Sequence, residues 1–102
     1  MTGSILTECP EIRDLSVRVF SHRGGRIPRD VPREFGVAVP EYVECANPSC
    51  SGGKFRIWPV IRMAVSRHDS SFSARDVCRG SEGRNIPCMY KFEVEGEITY
   101  KA

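Results

Sequence analysis

Four of the five cysteines fall into two groups. The first is Cys45-Ala-Asn-Pro-Ser-Cys50, a C-x4-C pair. The second is Cys78 and Cys88, separated by the nine residues Arg-Gly-Ser-Glu-Gly-Arg-Asn-Ile-Pro. A tetrahedral zinc ion with Zn–S bonds of about 2.3 Å needs two thiolates close together on a turning chain, which C-x2–4-C pairs supply. Asn47-Pro48 is a turn-forming dipeptide, and Gly52-Gly53 lets the backbone fold back after Cys50. Amides of such a turn can point at sulfur and stabilise its negative charge. The spacing of the second pair is too long for a tight knuckle, but Gly80, Gly83 and Pro87 allow it to double back. The expected site is therefore one structural zinc ion on Cys45, Cys50, Cys78 and Cys88. Four thiolates close the coordination sphere and leave no position for a substrate.

Other cysteine chemistries stay open. One or two disulfides, buried free thiols packing as small hydrophobes, and an iron–sulfur cluster all use the same residue type. An odd cysteine count argues against a complete disulfide framework, and in a reducing compartment close-spaced cysteines more often mean metal or redox chemistry. Cys9 stands outside the pattern and reads as a free thiol. His22 and His68 are conceivable ligands, but neither has a partner at ligand spacing.

Two further clusters bear on chemistry. Arg13, Arg18, Arg23, Arg26, Arg29 and Arg33 crowd one stretch against Asp14 and Asp30, and arginine suits bidentate contacts with phosphate or carboxylate. With exposed aromatics such as Phe35, Tyr42 or Trp58, this run would serve a nucleic-acid surface; a solvated basic edge is the simpler reading. The net charge of +2 is too small to argue for nucleic acid by itself. Glu93, Glu95 and Glu97 resemble a carboxylate site, yet alternating charge on a solvent-facing strand explains them. Ser70, Ser71 and Ser73 lie near His68 and Asp69 in sequence, which does not make a triad. There is no phosphate-cradling glycine loop, no H-E-x-x-H and no G-x-S-x-G.

The elements that must position these residues read as α+β. At 102 residues, 40% of them hydrophobic and 27% charged, the chain fits one ordinary globular domain over residues 1–102. Residues 1–11 look like a flexible lead-in. Leu15, Val17 and Val19 alternate with Asp14, Ser16 and Arg18, so 12–20 is a half-buried strand. Residues 24–40 carry Pro28, Pro32 and Pro40 and read as an extended proline-rich loop. Short strands are expected at 42–44 and 54–58. Pro59 opens an amphipathic helix with Ile61, Ala64, Val65 and His68 on one stripe; a continuing strand is the rival reading, because Val60, Ile61 and Val65 are β-branched. Residues 69–87 read as mostly loop. In the last segment Tyr90, Phe92, Val94, Ile98 and Tyr100 alternate with Lys91, Glu93, Glu95, Glu97 and Lys101. That is one long strand or a hairpin bent near Gly96, with an acidic outer face able to pair with the arginines of the first strand. The expected architecture is a small, mostly antiparallel sheet with one short helix, with residues 45–88 as the zinc-binding region.

Cys45-x-Asn47-Pro48-x-Cys50-x-Gly52-Gly53, followed by Phe55, resembles a set of small uncharacterised bacterial proteins that look like zinc ribbons. Their C-x-G-x-E element is matched by Cys78, Gly80 and Glu82. The resemblance spans about residues 40–100. It implies a zinc-ribbon-like site with four cysteine ligands and supplies no activity. The long second spacing and the stretch from Ser51 to Val77 depart from compact zinc ribbons.

No run approaches the roughly 20 apolar residues of a membrane helix, and the first residues lack the basic and apolar regions of a secretory signal, so a cytoplasmic location is expected. Three function classes follow. The first is a non-catalytic, zinc-stabilised module contacting protein partners. The second is a nucleic-acid binder using the arginine run. The third is a zinc enzyme with an open metal position. The first is the expected one.

Overall fold

The computed structural model describes residues 4–22 and 32–101. Ten elements follow one another: α1 (Ile5–Glu8), β1 (Ile12–His22), β2 (Arg33–Phe35), β3 (Tyr42–Glu44), β4 (Lys54–Arg56), α2 (Trp58–Ser66), β5 (Ser71–Val77), β6 (Ser81–Gly83), β7 (Ile86–Pro87) and β8 (Lys91–Tyr100). One antiparallel sheet runs in the order β2-β1-β8-β5, and two short hairpins, β3-β4 and β6-β7, stand beside it. The class is α+β.

The two long central strands carry the sheet because each alternates with period two over ten or eleven residues. Val17 and Val19 on β1 and Phe92, Val94 and Ile98 on β8 are buried on one face. Val19 lies opposite Val94, and Leu15 opposite Ile98. The strand at the C-terminal end does not bend into a hairpin; β8 is continuous through Gly96. Gly96 has a packing reason to lack a side chain. A Cβ there would collide with the Ser16 carbonyl oxygen and come within 2.6 Å of the Phe72 ring. The Phe72 ring on β5 thus fills the space that the glycine leaves.

The acidic outer face of β8 meets β1 as its sequence suggests. Arg18 sits opposite Glu95, with Nε 3.2 Å from Glu95 Oε1 and one terminal nitrogen 2.9 Å from Glu97 Oε1.

Helix α2 starts one residue before Pro59, which occupies a first-turn position where a missing N–H costs nothing. Trp58, Ile61 and Ala64 face the core, while Val65 is only half buried and His68, beyond the helix, is exposed. Trp58 Nε1 donates to the Val39 carbonyl at 3.1 Å. The segment after β2 is thereby pinned to the helix.

Three expectations need correction. The lead-in is packed from Ile5 onward: α1 forms one helical turn, and Ile5 and Cys9 are buried in the core cluster. Residues 69–87 are mostly strand, because β5 pairs along its whole length with β8 and β6 folds back on β7. The segment 24–40 contains strand β2, paired with Val17–Val19; residues 24–31 lie outside the described residues. Among the described residues, no helix is long and apolar enough to cross a membrane.

Candidate metal centre

One end of the sheet gathers the cysteines. Strand β3 ends at Glu44 and delivers Cys45. Its hairpin partner β4 starts at Lys54, so the six residues of the C-x4-C loop and the following glycines are tied at the base by Cys45 N donating to Gly53 O at 3.0 Å. Inside the loop, Asn47 makes the turn: Ser49 N donates to Asn47 Oδ1 at 3.0 Å and Cys50 N to Asn47 O at 3.0 Å. On the other side, β5 runs directly into Cys78, whose N–H donates to Tyr90 O at 2.9 Å. The nine residues after Cys78 are not a wandering loop. They form the β6-β7 hairpin, turning through Asn85 at φ 55°, and Cys88 N returns to Gly80 O at 3.0 Å. The long spacing is thus closed by local pairing. Ser51 and Ser81 exchange backbone hydrogen bonds at 2.8 and 3.1 Å, which joins the two cysteine loops to each other.

The result is that the sulfurs of Cys45, Cys50, Cys78 and Cys88 all lie within 4.8 Å of one another. Cys45 Sγ is 3.7 Å from Cys88 Sγ, and Cys50 Sγ is 3.5 Å from Cys78 Sγ. Four sulfurs around a tetrahedral ion at about 2.3 Å stand roughly 3.8 Å apart, so these four are positioned to hold a metal ion. All five cysteines of the chain are free thiols in this structure.

The surroundings fit a metal thiolate cluster. Gly53 and Gly80 line it at van der Waals limit. A Cβ on Gly53 would strike Cys78 Sγ and reach 2.7 Å from Cys50 Sγ; one on Gly80 would reach 2.5 Å from Cys50 Sγ and 2.7 Å from Gly53 N. Donors point at sulfur: Asn47 Nδ2 at 3.4 Å from Cys88 Sγ, and Gly80 N at 3.4 Å from Cys78 Sγ. The Gly53 and Tyr90 amides do the same for Cys50 and Cys88. Such donors orient metal ligands and spread their charge.

The four thiols are not equivalent. Burial pushes Cys78 up to about 12, against the opposing pull of the Gly80 amide. Burial also raises Cys88, but the Asn47 side chain, the Tyr90 amide and the other thiols outweigh it and bring Cys88 to about 7. Burial raises Cys50 as well, with Cys78 opposing. Cys88 is thus brought down to near neutrality, and a cation entering the cluster meets it partly ionised at neutral pH. Cys78 and Cys88 are buried, whereas Cys45 and Cys50 are partly exposed beside a cleft of about 310 Å3 lined also by Glu44, Ser51, Gly52 and Lys54. Access is therefore from the Cys45/Cys50 side.

No protein-family model matches the chain, and no curated protein or solved structure matches it.

The remaining candidates disperse. Cys9 is buried among α1 and the core, away from the cluster. His22 Nε2 lies 3.6 Å from Glu93 Oε1, and His68 stacks on Tyr100 at 4.0 Å between ring centroids. Neither histidine joins the four sulfurs. Glu95 and Glu97 are occupied by Arg18. Beside the serines near His68, Tyr100 Oη donates to the Asp69 carbonyl oxygen at 2.6 Å.

The arginine run also separates. Arg13 is exposed, Arg18 is paired with two glutamates, and Arg33 is half buried, where desolvation lowers its pKa while Cys45 and Glu44 oppose. Arg23, Arg26 and Arg29 lie outside the described residues. Of the aromatics expected beside them, Trp58 is buried and Phe35 half buried; Tyr42 is exposed, with Lys54 Nζ 5.4 Å from its ring centroid.

Two supporting contacts were not foreseen from the sequence. Ser21 is buried, 3.9 Å through Oγ from Cys45 Sγ, and accepts a hydrogen bond from Ala46 N at 3.2 Å. Its signal was present: it interrupts the apolar face of β1 at the position after Val17 and Val19. The reach of Asn47 to Cys88 had no local signal, because the two residues belong to different hairpins.

Proposed function

We propose that Cys45, Cys50, Cys78 and Cys88 hold one structural zinc ion, and that the chain is a non-catalytic, zinc-ribbon-like module that contacts other proteins in a reducing compartment such as the cytoplasm. The observation that carries the metal reading is the convergence of four sulfurs within 4.8 Å of one another, surrounded by N–H donors and by two glycines that leave no other room. All-thiolate coordination suits zinc and is the donor set of closed structural sites. A closed site holds loops together and offers no place for a substrate, so the ion's contribution is folding energy at this end of the sheet. The resemblance of the C-x-N-P-x-C-x-G-G segment to small bacterial zinc-ribbon-like proteins agrees with this reading. The interaction role is supported by apolar side chains left exposed around the cluster: Val77 and Met89 each stand one residue outside Cys78 and Cys88, and Ile86 is on the same hairpin.

Native mass spectrometry of protein purified without chelator tests the metal. One zinc per chain is the expected result. Iron, or a mass lower by two hydrogens per disulfide, would replace the reading. Cobalt substitution tests the closed sphere: a tetrathiolate spectrum unaffected by added anions is expected, and a spectrum that shifts with anions would mean an open position and favour an enzyme.

A further inference from the structure

The main sheet ends on one side in β2, which is three residues long and follows Pro32. On the other side it ends in β5, seven residues with no proline, lysine or bulge. Those are among the devices that ordinarily keep an edge strand from pairing with another chain; of the others, β5 carries the charges of Arg75 and Asp76, one of each sign.

The backbone of β5 can be assigned side by side. Cys78 N donates to Tyr90 O and Ile98 N to Ser70 O, both in the register that pairs Ser71 with Glu97. In an antiparallel ladder, hydrogen-bonded pairs alternate with unbonded ones. Even-numbered residues of β5 therefore bond to β8, and Ser71, Ser73, Arg75 and Val77 aim their N–H and C=O groups away from the sheet. The Val77 N–H is taken by the Asp76 side chain at 2.8 Å, which is consistent with that direction. Among the described residues, the outward groups of Ser71, Ser73 and Arg75 have no backbone partner.

We propose that this edge is a homodimer interface, in which β5 of two copies pairs antiparallel about Ala74 to make one continuous eight-stranded sheet. Three features favour a second copy in this register. First, pairing about Ala74 sets Ser71 against Val77 and Ser73 against Arg75 of the second copy, so all four outward residues face a partner and only the Val77 N–H, held by Asp76, stays out of the ladder. Second, the residue on the two-fold axis is Ala74 at an unbonded pair, where Cα atoms approach to about 4.5 Å, so no bulky or charged side chain meets its own image there. Third, the charges match. Arg75 is 85% exposed and holds Glu93 only at 3.6 Å. Across the interface it faces the short Ser73 of the second copy, behind which Glu95 follows in the same row. The shift that centres on Arg75 would instead set two arginines opposite each other, which is destabilising. The Asp76 cap affects only the end rungs of the ladder. The interface does not depend on the metal.

Analytical ultracentrifugation and native mass spectrometry of the full chain read the outcome. A dimer is expected for the wild type. Ser73→Pro removes an outward N–H that β8 does not use, so it should return the mass to that of a monomer while circular dichroism and metal content stay unchanged. Should that variant fail to fold, Ser73→Lys carries the test, because it sits on the solvent face and places a lysine against Arg75 of the second copy. Monomeric wild type overturns the proposal, as does a dimer that survives whichever of the two variants folds.

Discussion

Asn47 and Cys88 come from different hairpins, 41 positions apart, and meet through a 3.4 Å hydrogen bond from Nδ2 to Sγ. The contact has two consequences. It lowers the Cys88 thiol toward about 7 against the effect of burial, and it locks the C-x4-C turn onto the second cysteine pair. Asn47→Ala removes this donor together with the turn bond to Ser49 N. Loss of an outer-shell partner of this kind typically lowers metal affinity about 10–100-fold. Competition against a chromophoric chelator measures the loss. The metal-free variant should also need higher pH for alkylation of Cys88. Unchanged affinity would mean that the bond does not support the site.

Gly53 and Gly80 are expected to tolerate no side chain. Gly53→Ala drives a methyl into Cys78 Sγ, and Gly80→Ala into Cys50 Sγ and the Ser51 carbonyl. Both should lose stoichiometric metal, read directly as the metal-to-protein ratio. Gly52 is the internal control. It has φ +79° but nothing within 4 Å of an added Cβ, so Gly52→Ala costs about 1–2 kcal/mol of backbone strain and keeps the metal. If all three variants bind alike, the cluster is looser than these contacts imply.

Chelation should unfold this protein unevenly. The central pair β1 and β8 is held by Val17, Val19, Phe92 and Val94, none of which belongs to the cysteine cluster. The hairpins β3-β4 and β6-β7 are short and joined to each other chiefly through the Ser51–Ser81 exchange and the sulfurs. Hydrogen exchange after chelator should therefore accelerate at the amides of Cys50, Ser51, Ser81 and Cys88 while Val19 and Val94 stay protected. Equal acceleration everywhere would mean that the ion, and not the apolar core, holds the whole fold. Phe92→Ala is the complementary variant and should cost about 3–5 kcal/mol in denaturant titration.

Strands β1 and β8 were legible because each has one buried and one wet face, which writes alternation into the sequence. The four cysteines that the fold clusters were legible from residue type and from the turn chemistry around Asn47-Pro48. Strand β5 was not. As an edge strand of Ser, Ala, Arg and Asp it buries only Phe72 and Ala74, and those only halfway. Its conformation comes from pairing with β8, which is tertiary information. The same holds for the Cys78–Cys88 spacing, which looked too long until β6 and β7 closed it. Placing Ile5 and Cys9 in a flexible lead-in failed for a related reason: a single helical turn is too short to show periodicity, though Ile5 within it and Cys9 at its C-terminal cap are buried.

The pairing of Arg18 with Glu97 predicts an acid-sensitive component of stability. Hydrogen bonding to Arg18 holds the Glu97 carboxyl below its ordinary value, with partial desolvation opposing. A carboxylate whose folded pKa is depressed stabilises the fold fully above its unfolded pKa of about 4.3, and that contribution is lost as pH falls through the folded value. Arg18→Gln removes the cation and should let Glu97 titrate near the ordinary glutamate range, seen in a carboxyl-carbon NMR titration. The wild type should exceed the variant in urea midpoint by a constant margin from neutral pH to about pH 5. Below that the margin should shrink and vanish once Glu97 is protonated in both. High salt should shrink it as well, because the pair is exposed to solvent. A margin that persists unchanged in strong acid would assign the effect of the substitution to lost packing of the arginine stem over β8.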